Sequence, residues 1–370
     1  MPTELEKRER ELRRQRIAEA RAANRPEMIK EEADLRKQNA AWELDSPKQY
    51  VRREGWEKII AAYLRKIKGC GVTRPWKYFT FPGENALDIA HLYKKGLLDT
   101  NVEKKLSVAI CDQKYGDAVA LKLQKFGGIL ASSNKELHEA LADHNDVLVK
   151  QFPFDVINLD LTNALIKANL HNMYILDQLF ELQRGQAFLL LLTSRPNPSQ
   201  QAEKLTVLTE NLRTVPEFTA AYRAKFATED PLASLRDYTT LTQIVFFKII
   251  ARYAREFRYL VHEHFSAKYQ RSNAHETYDM VVHSFELDPI IGKRQEIAKY
   301  EPRWNAPGRD RIQQFLKGET IRHQAEEGYK GYICELPGRD ILNVDEHLAS
   351  HPDLWDEVMK EAETLGTWLN

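Results

Sequence analysis

Between residues 47 and 290 the spacing of apolar side chains changes period repeatedly, and each change predicts an element. From Pro47 to Lys68, Tyr50, Trp56, Ile59, Ile60, Tyr63, Leu64 and Ile67 recur every three or four residues and form one stripe of an amphipathic helix. Gly69 to Pro75 breaks it. Short apolar runs then alternate with helix-like stretches. The runs Lys77–Phe81, Leu106–Cys111, Gly128–Ala131, Phe154–Leu159 and Ala187–Thr193 read as strands. Between them, Asn85 to about Lys95, Gly116–Phe126, Lys135–Ala142 and Leu161–Gln183 read as helices, with Ser133 or Asn134 as the cap of the third. Such alternation is the signature of a parallel sheet with crossover helices. Ala187–Thr193 is almost wholly apolar, as a strand covered on both faces must be.

Beyond Pro198 the pattern turns helical. Ile244, Phe247, Ile250, Tyr253, Phe257 and Leu260 mark a helix over Leu241–Val261. Two strand-like runs follow, His264–Arg271 and Tyr278–Leu287, separated by the turn-prone stretch Ser272–Glu276. The last section holds Pro302, Pro307 and Gly308, then helical stretches at Arg309–Glu327 and Leu354–Leu369. The expected division is a charged helical arm over 1–45, a helical prelude over 46–74, an α/β domain over 75–290 and a helical C-terminal extension over 291–370. The arm mixes Glu, Lys, Arg and Ala with few large apolar residues, and Glu6 with Arg10 and Glu9 with Arg13 sit at i,i+4. Two readings stay open for it: a solvated helix, or an arm that docks on a protein or nucleic-acid partner through Arg13, Arg14 and Arg16.

Composition narrows the function classes. Lys plus Arg equals Asp plus Glu at 54 each, so the field of the whole chain does not call for a polyanion, though a local basic patch is compatible with it. Cys70, Cys111 and Cys334 are far apart and form no CxxC pair, which fits reduced thiols better than a disulfide framework or a zinc site. The longest apolar run, Ala187–Leu192, falls far short of the roughly 20 residues that cross a bilayer. No secretion signal precedes the charged N-terminus, and the expectation is a soluble, cytoplasmic protein without membrane attachment. Nothing in the pattern fixes an oligomeric state. P-loop, GxSxG and HExxH patterns are absent, which leaves NTPase and hydrolase readings without support. His262 and His264 would share one face of a strand, but a metal needs a third ligand and none is near in sequence, so no metal is expected. Trp76, Tyr78 and Phe79 read as core, with base stacking as the alternative use.

Candidate chemistry gathers at the predicted strand ends. Asp112 follows the second strand and precedes a helix, where a carboxylate accepts the hydroxyls of a ribose laid across the sheet edge. Asn158 and Asp160 end the fourth strand, with Thr162 and Asn163 just beyond. Asp160 either takes part in proton transfer or caps the next helix. Three segments, Tyr78–Phe79–Thr80–Phe81–Pro82–Gly83–Glu84, Val108–Ala109–Ile110–Cys111–Asp112 and Phe154–Asp155–Val156–Ile157–Asn158–Leu159–Asp160, resemble the corresponding strand ends of class I S-adenosylmethionine-dependent methyltransferases. The closing helix and antiparallel hairpin fit the same layout. The resemblance implies a Rossmann-like, mostly parallel sheet over 75–290 and S-adenosylmethionine as cofactor. It implies Phe81, Gly83, Glu84, Asp112 and Asn158 as cofactor-binding, and Asp160 with Asn158 as catalytic. It further implies transfer to a nitrogen or oxygen, with nucleic acid as the acceptor class. The first loop departs from the family: only Gly83 stands where a glycine-rich turn is usual, and Pro82 removes a backbone donor. The alternative that follows is a catalytically inactive scaffold or sensor subunit of a larger assembly, favoured if Phe79 or Phe81 fills the space beside Asp112.

Overall fold

The computed structural model describes residues 46–83, 86–161, 171–195, 216–226, 238–272, 277–290, 323–333 and 341–368. Helix α1 (Ser46–Tyr50) passes through a π-helical stretch (Val51–Glu57) into α2 (Lys58–Gly69). Then come β1 (Tyr78–Thr80), α3 (Leu87–Lys94), β2 (Leu106–Cys111), α4 (Gly116–Leu123), β3 (Ile129–Ser133), α5 (Leu137–Ala142), β4 (Val156–Asp160), α6 (His171–Leu182) and β5 (Phe188–Ser194). The chain continues through α7 (Pro216–Phe226), α8 (Tyr238–Phe257), β6 (Tyr259–Ser272) and β7 (Thr277–Pro289) to β8 (Leu342–Asn343), α9 (Val344–Ser350) and α10 (Pro352–Trp368). Residues 323–333 are helical.

All eight strands join one sheet in the order β3-β2-β1-β4-β5-β7-β6-β8. Strands β1 to β5 are mutually parallel where they pair, and β8 is parallel to β6. Among the described strands only β7 is inverted, running antiparallel to β5 on one side and β6 on the other. The architecture is therefore α/β around a mostly parallel sheet. Alternation along the strands sorts the side chains into two cores. Tyr78, Val108, Ile110, Val156, Leu189 and Leu191 face α1–α4, α9 and α10. Phe79, Ala109, Ile157, Leu159, Leu190 and Leu192 face α5, α6, α8 and helix 323–333. Every residue of β5 is buried, which is why its sequence carries no period.

The expected strands are all present; β6 begins five residues earlier than expected, and the other ends fall within two residues of their expected places. Two expectations are corrected. The helix expected through Val261 ends at Phe257, because Arg258 takes a left-handed φ of 64° and β6 starts at Tyr259. Aromatic and aliphatic residues continue across that break, so spacing alone hid it. The cap of α5 is Glu136, in a reciprocal capping box with Glu139, while Ser133 belongs to β3 and donates its hydroxyl to Asp146 (3.1 Å). The C-terminal helices pack on the sheet: Trp355, Val358 and Leu365 of α10 and Val344 and Leu348 of α9 lie in the same core as β1 and β2. The expected elements or parts of elements over 1–45, 162–170, 273–276 and 309–322 lie outside the described residues.

If α10 is integral to this core, Trp355→Ala should lower the unfolding free energy by about 3–5 kcal/mol, the usual cost of deleting a buried large aromatic. Urea denaturation followed by circular dichroism measures it; a loss below about 1 kcal/mol would contradict the shared core.

Candidate functional site

At the carboxyl ends of β1, β4 and β5 the face covered by α1 changes from apolar to polar. Tyr78 and Val156 are followed, two residues on, by Thr80 and Asn158, which are register partners. Two residues further, Asp160 of β4 stands opposite Thr193 of β5. Open parallel sheets bind ligands at this edge, where neighbouring connections leave in opposite directions, and here that point falls between β2-β1 and β1-β4.

A chain of donors fixes how these side chains point. Tyr78 donates its hydroxyl to Asp88 Oδ2 at 3.0 Å, and Thr80 donates to the same oxygen. Having given its only proton, the Tyr78 oxygen accepts from Asn158 Nδ2, also at 3.0 Å. The amide nitrogen of Asn158 therefore faces Tyr78, and its Oδ1 has no protein partner. Burial pushes the Asp88 carboxyl above the usual carboxylate range against the pull of the Thr80 hydroxyl and Arg52, and it pushes the Tyr78 hydroxyl up further still.

Over this edge lies the helical cap formed by α1 and the π stretch. Lys48 of α1 forms an ion pair with Asp160 Oδ2, side chains 7% and 15% exposed. Arg52, one turn later, donates to Gln49 Oε1 at 3.3 Å. Burial by itself would raise the Asp160 carboxyl, but Lys48, Arg271 of β6 and Arg52 outweigh it and hold the group below its ordinary range. A second polar tie anchors the cap. His91 of α3 places Nε2 2.8 Å from Glu57 Oε2, and Gln49 Nε2 lies 3.3 Å from His91 Nδ1. Lys95 reaches Glu57 at 3.3 Å and Glu361 of α10 at 3.1 Å. Burial holds the His91 imidazole below its usual range even with two carboxylates nearby. The π-helical turn also carries Gly55, where a Cβ would come within 2.7 Å of the Phe265 ring of β6. That close approach lets the cap settle on the sheet.

The residues expected to bind a cofactor divide into two groups. Asp112 stands just past the end of β2; its Oδ1 accepts from the backbone of Lys114 (2.9 Å) and Tyr115 (2.8 Å) and so shapes the turn into α4. Gly83 turns with a φ of 60°. Phe81 is half-buried and packs edge-on against Phe79, their centroids 5.7 Å apart, on the face opposite Asn158 and Asp160. Glu84 lies outside the described residues. Asn158 is 1% exposed and Asp160 is held by Lys48, so the two expected catalytic groups are brought together at one strand end but beneath the cap. Trp76, Tyr78 and Phe79 are core. An open depression lined by Lys135, Glu139, Ala142 and Asp143 lies on the β3 side of the molecule.

Sequence reasoning missed Lys48, Asp88 and Thr193. A signal existed for Lys48: with Arg52 it places two cations at i,i+4 on a helix whose apolar stripe is otherwise uncharged. Asp88, inside the apolar run of α3, is the kind of buried acid that needs partners. Elsewhere, His264 contacts Glu286 (2.8 Å) rather than pairing with His262, and among the described residues no group of His, Cys, Asp and Glu is arranged to hold a metal. Cys70 and Cys111 are free thiols, and burial raises the latter to about 12. Among the described residues no helix is long and apolar enough to cross a membrane.

Residues 38–106 match the model of a family described as PP_RS20740-like, a description that names no activity. No curated protein matches the chain. The matched segment joins the cap to β1 and α3 and contains Lys48, Tyr78, Thr80 and Asp88 together.

Removing one member of a buried ion pair leaves the other uncompensated, so Lys48→Met should cost about 3–5 kcal/mol. The sign of the pH dependence follows from Asp160. Its folded-state carboxyl titrates below the unfolded one, so its stabilisation is full above the unfolded value near 3.9 and is lost as pH falls through the folded value. Lys48→Met should therefore flatten the acid limb of the stability profile, and an unchanged limb in acid-titrated urea melts would refute the pairing.

Proposed function

We propose that the chain is an S-adenosylmethionine-dependent methyltransferase of Rossmann-like fold that transfers to a nitrogen or oxygen of a nucleic acid. The observation that carries this reading is the sheet order. A parallel sheet closed by the inverted β7 sets Asp112 after β2 and Asn158 with Asp160 at the end of β4, on either side of β1 at the same edge. This is the layout implied by the resemblance of the three strand-end segments. Asp112 suits a ribose because the backbone amides it caps occupy one carboxylate oxygen and leave the other for hydroxyls. The cofactor supplies an electrophilic methyl group on a sulfonium; the chain's part is to bind it along the edge and orient the acceptor. Asn158, fixed by Tyr78 and Asp88, and Asp160, fixed by Lys48, are positioned groups of the kind such orientation needs.

A second reading, a non-catalytic scaffold or sensor on the same fold, is favoured by two specific features. Phe81 packs onto Phe79 beside the first loop, and the cap closes over Asp160. Calorimetric titration with S-adenosylmethionine and S-adenosylhomocysteine separates the readings. Micromolar binding to the full chain is expected, with a loss of at least tenfold in Asp112→Ala. That variant also loses two hydrogen bonds that hold the turn into α4, each worth about 1 kcal/mol; Asp112→Asn keeps an accepting oxygen for the turn and should still weaken binding. Absence of binding by a folded wild-type chain would favour the scaffold.

A further inference from the structure

The amino-terminal edge of the sheet, opposite the strand-end site, carries a surface of different composition. The C-terminal ends of α3 and α4 and the loop that leads into β2 come together there, beside the starts of β2 and β3. The six residues of β2, roughly 20 Å of strand, separate this surface from Asp112. Tyr93, on the last turn of α3, is 37% exposed, and its ring lies 4.7 Å from that of Phe126 with a tilt of 43°. The Lys125 ammonium stands 5.4 Å from the centroid of Phe126.

The loop is pinned against the end of α4. Asn101 Oδ1 accepts from the backbone of Glu103 and Lys105, each at 3.0 Å, and Lys104 closes the turn with a left-handed φ of 62°. Gly127 passes so near that a Cβ there would come within 2.2 Å of the Lys104 carbonyl oxygen. Lys104 is therefore set beside Lys125 and the two rings. Lys94, Lys104 and Lys125 are all exposed. Of the acids nearby, Glu103 is matched by Lys105 at 2.8 Å, and Asp99 accepts from the Trp76 amide at 3.2 Å. The surface around the rings is thus net positive, although the whole chain is neutral.

We infer that this surface binds single-stranded nucleic acid, a base stacking on Tyr93 while phosphates meet Lys94, Lys104 and Lys125. An exposed ring backed by a second ring offers a flat face to any unpaired base, and the cations around it follow the backbone. A duplex keeps its bases stacked on one another and would gain only the lysines. An acidic peptide would meet the same lysines but brings no planar base for Tyr93. The inference goes beyond the methyl-transfer reading and needs neither Asp112 nor a cofactor.

The test is fluorescence anisotropy of a labelled dodecauridylate titrated with the full chain at several salt concentrations. A Kd of about 10–100 µM is expected near physiological salt, within the usual range of sequence-independent contacts. Three phosphate contacts to a single strand give a slope of about −2 in log affinity against log salt, and Lys104→Ala with Lys125→Ala should bring it to about −0.7. Tyr93→Ala should weaken binding at least fivefold, and Tyr93→Phe should keep the wild-type affinity. Circular dichroism checks that each variant folds; should Tyr93→Ala not fold, the exposed lysine pair still decides through the salt slope. No binding at millimolar protein, wild-type affinity in Tyr93→Ala, an unchanged slope in the lysine variant, or tighter binding of a duplex of the same length would each overturn the inference. Equal competition by polyglutamate would do so too, and would assign the surface to an acidic protein. No cofactor is added, so failure here leaves the methyl-transfer reading standing, and failure to bind S-adenosylhomocysteine leaves this one standing.

Discussion

The ion pair between Lys48 and Asp160 is the constraint around which the rest of the edge is arranged. An open parallel sheet leaves its carboxyl ends facing outward, with polar side chains and unpaired backbone that water or a ligand satisfies. Here a helix that precedes the sheet in sequence covers that edge and brings a lysine into it. Two charges taken from water cost several kcal/mol each, and their mutual attraction offsets this only with good geometry and further hydrogen bonds. A cap held by this pair alone would be weakly placed. The remaining ties supply the difference: Glu57, His91, Gln49 and Lys95 bind the cap to α3 and α10, and Gly55 lets it lie against Phe265.

The same logic explains why the C-terminal helix sits where it does. α10 packs on α1 and α3, and Glu361 enters the polar cluster around His91. Covering one sheet face therefore takes segments from both ends of the described chain, with β1 and β2 beneath them. Contacts of such wide sequence separation carry a loop-closure cost that slows folding. The cap is thus held by α10 as well as by α3, and Asn158 and Thr193 lie buried at the edge it covers.

Much of the fold was legible because it depends on local pattern. Alternation of short apolar runs with helix-like stretches placed β1 to β5 within a residue or two, and Asp112, Asn158 and Asp160 were found at strand ends. What failed depends on tertiary context. Arg258 adopts a left-handed conformation that spacing does not announce, and the cap at Glu136 uses a long acidic side chain where Ser133 or Asn134 was expected. The partner of Asp160 lies 112 residues away, and no local signal encodes that contact. Tyr78 is an instance of a residue read correctly but incompletely: it is core, as expected, yet its hydroxyl sets the orientation of Asn158.

A covered edge is what separates the two functional readings, and its composition argues for a site rather than a seal. A purely structural cap over an apolar sheet is best made of apolar groups, since replacing a buried ion pair by packed hydrophobic residues is often neutral or stabilising. This edge instead keeps Asn158, Asp160 and Thr193 with oxygens unsatisfied, and keeps a tyrosine and a buried acid in place to aim one of them. Such an arrangement lowers the stability of the closed form. A chain selected only to hold its fold would have little reason to retain these groups; a chain that admits a polar ligand at this edge has one.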